Sequence, residues 1–96
     1  MRDRRRLVEA NKLEINEIVR RHRGRSVSLF GSVARGDETP TSDIDVLVQF
    51  EPGSSLFDLF HISEELEALL GTPVDVVSAG GLKARDAHIR QEAVPL

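Results

Sequence analysis

Two runs of sequence, Gly31-Ser32-Val33-Ala34-Arg35-Gly36 and then Ser42-Asp43-Ile44-Asp45-Val46-Leu47-Val48, set the order of everything around them. The first begins on a glycine that closes the alternating stretch Ser26-Val27-Ser28-Leu29-Phe30, the pattern of a short strand entering a tight turn. The second opens another strand, expected from Asp43 to Phe50. Between them, glycine, Pro40, Thr and Ser predict a loop that opens with one helical turn.

Upstream, Leu7, Val8, Ile15, Ile18 and Val19 fall on one side of a single helix expected over residues 4–22, with Gly24 as its stop. Downstream, Pro52-Gly53-Ser54-Ser55 is a turn, and Ser55 can cap a helix carrying Leu56, Leu59, Phe60, Ile62, Leu66, Leu69 and Leu70 at helical spacing. Gly71-Thr72-Pro73 ends that helix. Val74-Asp75-Val76-Val77-Ser78 has the β-branched content of a buried strand, and a last helix is expected over residues 82–93 with Leu82, Ile89 and Ala93 inward. Phe57 and Phe60 are expected in the core rather than as a base-stacking platform. The fold class is α+β, a small mixed sheet with helices packed on one face, and 96 residues predict one domain spanning 1–96.

The chain has no cysteine, which excludes thiol nucleophiles and thiolate zinc sites. His22, His61 and His88 share no spacing that suggests a metal site. No stretch has the length or apolarity of a membrane span or a signal peptide, so a cytoplasmic protein is expected. The net charge of −3 argues against general nucleic-acid binding but conceals an asymmetry. Arg2, Arg4, Arg5, Arg6, Lys12, Arg20, Arg21, Arg23 and Arg25 crowd the first quarter, whereas no Lys or Arg occurs from Asp37 to Leu82. The basic segment alternates with acids and lacks aromatic partners, the pattern of a solvated or partner-facing helix. The acidic stretch reads mostly as a solvated face.

Asp43 and Asp45 are two residues apart on a strand, so they share a face with α-carbons about 6.6 Å apart. Asp75 points away from Val74 and Val76, and the intervening helix has crossover length, which allows the two strands to be neighbours. Three carboxylates within roughly 6 Å repel by about 0.7 to 3 kcal/mol per pair. Hard divalent cations bound through oxygen relieve that repulsion and can activate an attacking hydroxyl. Gly31 lets backbone approach a phosphate, Ser32 adds a hydroxyl donor, and Arg35 can neutralise phosphate charge. The bland reading makes Asp43 a turn residue, Asp45 an edge residue and Asp75 incidental.

Gly31-Ser32, the intervening loop, Asp43-Ile44-Asp45 and the later Asp75 together resemble the signature of the DNA polymerase β-like nucleotidyltransferase superfamily. The resemblance covers about residues 27–78, and the small size points to its minimal nucleotidyltransferase (MNT) branch. It implies that Asp43, Asp45 and Asp75 are catalytic and hold two Mg2+ ions, and that Gly31 and Ser32 grip the triphosphate of ATP. Arg35 is a further candidate for nucleotide binding. MNT proteins commonly act as antitoxins beside a HEPN-type toxin, which implies adenylylation of a tyrosine on that partner. With no tyrosine of its own, the chain cannot modify itself there. The alternatives are a small-molecule nucleotidyltransferase of the antibiotic-resistance kind and a non-catalytic antitoxin that inhibits by occlusion. Base preference, acceptor and oligomeric state are left open.

Overall fold

A computed structural model describes residues 3–96, so Arg2 of the basic N-terminal run lies outside the described residues. Among the described residues, four strands form one mixed sheet in the order β3-β2-β1-β4. β1 (Gly24–Phe30) is antiparallel to β2 (Ile44–Phe50), and β2 is parallel to β3 (Val74–Ser78). One face of the sheet, bearing Val27, Leu29, Ile44, Val46, Val48 and Val74, is buried under the helices. Asp45 and Asp75 therefore lie on the other face, because side chains alternate along a strand.

The single N-terminal helix predicted over residues 4–22 is two helices, α1 (Asp3–Ala10) and α2 (Lys12–Arg21). Asn11 makes the break. Its backbone N–H bonds to the carbonyl of Val8 at 3.1 Å, and its side-chain amide donates to the Leu7 carbonyl at 2.9 Å in place of the usual helical N–H. Val8, Ile15, Ile18 and Val19 nonetheless reach the core as expected.

Gly24 does not stop the helix; it opens β1. The left-handed residue after α2 is Arg23, with φ 65°. Gly24 is required for a different reason, since a Cβ there would collide with Val19 Cγ1 and lie 2.8 Å from the Val19 carbonyl oxygen. The strand thus passes directly against the helix.

The short helix α3 (Gly31–Arg35) is the single turn expected after β1, and Gly36 closes it in the left-handed conformation. α4 (Leu56–Leu70) starts on a capping box in which Ser55 Oγ accepts the Phe57 N–H and Asp58 accepts the Ser55 N–H. Gly71, at φ 67°, ends it. Ile62, Leu66 and Leu70 are buried, but Leu56, Phe57 and Phe60 are not: 70, 74 and 54% of their surfaces are exposed. The expectation that Phe57 and Phe60 belong to the core is corrected here. Helical spacing marks the apolar stripe, but among the described residues little covers its first turns.

The last helix is also shorter than predicted. Two 3-10 turns (Ala79–Gly81 and Ala84–Asp86) precede α5 (Ala87–Glu92), and Leu82, Ile89 and Ala93 are only half-buried. A fourth strand, β4 (Val94–Pro95), pairs with β1 at the edge of the sheet, where a proline is tolerated. Two residues are too few to show a periodicity. Among the described residues, no helix is long and apolar enough to cross a membrane.

Candidate active site

β1 ends where β2 and β3 begin, and the candidate residues collect at that end of the sheet. Asp45 pairs with Phe30 on one side and stands directly opposite Asp75 on the other. Asp43 precedes the first residue of β2 and is exposed. The strand start is set by Ile44, whose N–H bonds to the Pro73 carbonyl at 3.1 Å.

Two side chains of α4 hold β3 in this register. Glu67 Oε2 accepts the Val74 N–H at 3.0 Å, and Ser63 Oγ donates to the Val74 carbonyl at 3.2 Å. With Val74 clamped inward, the next residue faces outward, and that residue is Asp75. Glu67 belongs to the stretch that sequence treats as a solvated acidic face; its positioning role has no signal in the sequence, because the partner is a backbone group seven residues away.

Gly31 packs against Asp45 from the opposite direction. Its φ is 77°, and a Cβ would collide with Asp45 Oδ2, so both backbone conformation and space call for glycine. Ser32 follows in the same turn, half-buried. Arg35 stands at the far end of α3, about 6 Å along its axis, and pairs with Asp37 and Glu92 at 3.2 Å each.

The electrostatics of the group centre on Asp45. Its carboxyl is pushed up to about 6 by burial first, then by the charges of Asp75 and Asp43 and by hydrogen bonding with Asp75; Arg35 pulls it the other way. Asp45 and Asp75 thus meet, and Asp43 is near enough for its charge to be felt. Among the described residues the carboxylates do not close into a three-ligand cluster at metal-binding spacing, in keeping with their mutual repulsion. The donor set nonetheless fits magnesium, since it consists of hard carboxylate oxygens. Asp45's raised affinity for a proton marks a place where added positive charge is favoured.

Two of the three histidines are arranged in a way their spacing hides. His22 and His61 lie with ring centroids 5.3 Å apart, and His22 Nε2 is bonded to Glu65, which also pairs with Arg21 at 2.6 Å. This group ties α2 to α4, remote in sequence from the aspartates.

Residues 12–94 match the family model of the nucleotidyltransferase domain. The chain belongs to that family. Over 78 residues this nucleotidyltransferase is 41% identical to the protein adenylyltransferase MntA of Thermococcus cleftensis, a match covering 81% of this chain and 76% of that one. A solved structure assigned as a minimal nucleotidyltransferase superposes with a TM-score of 0.86 at 40% identity, over 96% of this chain and 95% of its own. The complex of a tri-AMPylated HEPN toxin with an MNT antitoxin from Shewanella oneidensis also contains a similar chain, at a TM-score of 0.68 and 18% identity, covering 91% of this chain and 69% of that one. At that identity the likeness is one of fold. The nucleotidyltransferase family and the α+β fold expected from Gly31-Ser32 and Asp43-Ile44-Asp45 are both borne out.

Proposed function

We propose that this nucleotidyltransferase is a magnesium-dependent protein adenylyltransferase that moves AMP from ATP to a tyrosine hydroxyl of a cognate HEPN-type toxin and so acts as its antitoxin. The observation that carries the reading is the direct opposition of Asp45 and Asp75 beside the Gly31 turn. The adenylyltransferase named among its relatives and the AMPylated toxin in the Shewanella oneidensis complex support the choice of AMP and of the partner.

In the proposed reaction the acceptor oxygen bonds to the α-phosphorus while the bond from that phosphorus to the α–β bridging oxygen breaks, and pyrophosphate departs with the electron pair. Two magnesium ions, held by Asp43, Asp45 and Asp75, would supply Lewis-acid activation of the hydroxyl and stabilise charge on the leaving group. Asp75, on the exposed side of the pair, receives the hydroxyl proton. Gly31 and Ser32 hold the phosphates against Asp45, and Arg35 offsets their charge.

A protein acceptor is supported over a small molecule by the surface of α4. Leu56, Phe57 and Phe60 form an apolar patch of the kind that partner proteins cover. The test is to mix the protein with ATP, magnesium and the HEPN-type partner and to measure the intact masses of both chains. A gain of one or more AMP units on the partner, lost without magnesium, supports the reading. A stable complex with no gain replaces it with inhibition by occlusion.

A further inference from the structure

The first helix brings two arginines against the end of α3. A cavity of about 310 Å³ is lined by Arg5, Arg6 and Glu9 from α1 and by Ala34, Arg35 and Gly36 from the end of α3. Three cations face one anion there, in a chain whose net charge is −3. The asymmetry of the sequence becomes spatial: the middle of the chain lacks Lys and Arg, and the N-terminal helix folds back to supply them.

α1 is held in place by its own contacts. Glu38, only 8% exposed, accepts the backbone N–H groups of Arg4 at 3.1 Å and Arg5 at 3.4 Å. Arg5 donates to the Ala34 carbonyl at 3.0 Å and pairs with Glu9 at 3.1 Å, so much of its hydrogen-bonding capacity is structural. Arg6 is exposed, and no carboxylate among the described residues pairs with it. Arg35 spends its guanidinium on Asp37 and Glu92 at the surface, pairs weak enough for a phosphate to displace.

We infer that this arginine cavity seats the γ-phosphate end of the triphosphate, and then pyrophosphate as it departs, with Arg6 as the free cation that binds it. The inference rests on the reading that the Gly31–Asp45 region takes ATP. Arg35 links the two places: it lines the cavity and is one short helix, about 6 Å, from the glycine packed on Asp45. A triphosphate whose α-phosphate lies at the carboxylates can reach that far. Near Asp43, Asp45 and Asp75 the phosphates meet like charge, so binding the far end through planar guanidinium groups gives affinity where the aspartates cannot.

Isothermal titration of the wild type, Arg6→Ala and Arg6→Lys with ATP, inorganic pyrophosphate and AMP, all with magnesium, separates the possibilities. Arg6→Ala is expected to weaken ATP and pyrophosphate about tenfold and to leave AMP unchanged, because AMP does not reach the cavity. Arg6→Lys should recover part of the loss. As an exposed residue, Arg6 can be replaced without a change in melting temperature, which circular dichroism checks. Equal affinity of wild type and Arg6→Ala for ATP and pyrophosphate overturns the inference alone, as does an equal loss for AMP. A wild-type protein that binds neither ATP nor pyrophosphate overturns the adenylyltransferase reading as well.

Discussion

Asp45 of β2 and Asp75 of β3 face each other across a parallel pair of strands, so the backbone register of the sheet holds two carboxylates side by side. The arrangement costs free energy in the absence of a cation, and its consequences can be measured.

Replacing either Asp43 or Asp45 with Ala is expected to abolish nucleotidyl transfer and to leave the melting temperature of the metal-free protein unchanged or higher. Removing one member of a repelling set relieves the set. Transfer assays beside thermal denaturation in chelator check both halves, and activity surviving in Asp45→Ala would falsify the proposed roles.

The raised pKa of Asp45 sets the sign of a pH effect. The folded state keeps its proton up to about pH 6, whereas an unfolded aspartate loses it near pH 4. Between those values the native state binds more protons, so the group's contribution to stability declines as pH rises and is lost above about 6. Asp45→Asn should therefore stabilise the metal-free protein at pH 7 by about 1 kcal/mol, after allowance for partial exposure of the group, with the difference vanishing near pH 4. Melting curves of both proteins over that range test it.

Gly24 and Gly71 are expected to respond differently to alanine. At Gly24 the new Cβ collides with Val19, so a cost of about 2 kcal/mol or more is expected from overpacking. At Gly71 nothing lies within 4 Å, and only the left-handed backbone is penalised, by about 1 kcal/mol. Urea denaturation of the two variants decides whether space or conformation dominates.

Glu38→Ala should destabilise the protein by about 1–3 kcal/mol, since two backbone N–H groups lose a buried acceptor. Hydrogen exchange should show the loss concentrated at residues 4–10, because Glu38 holds the start of α1. An evenly distributed loss would count against that account.

The elements were legible in the sequence wherever a regular period met a clear boundary. Ser55 and Gly71 bracket α4, and Val27 and Leu29 alternate into the Gly31 turn. The break at Asn11 escaped because a side-chain amide can take the place of a helical N–H without disturbing the apolar period. β4 escaped because two residues carry no period at all. Phe57 and Phe60 misled because helical spacing identifies a stripe but not how much of its length is covered by the rest of the chain.

By itself, then, the sequence determined β1, α3, β2, α4 and β3 in their order and marked the aspartates and the Gly31-Ser32 turn as candidates, since those follow from local periodicity and from chemistry carried by neighbouring residues. Only the tertiary structure decided that Asp75 stands opposite Asp45, that Glu67 and Ser63 clamp Val74 to keep it there, that Gly24 must be small, and that Arg5 and Arg6 line one cavity with Arg35. Each of these depends on the distance between groups far apart along the chain, and such distances are set by how helices and strands pack together.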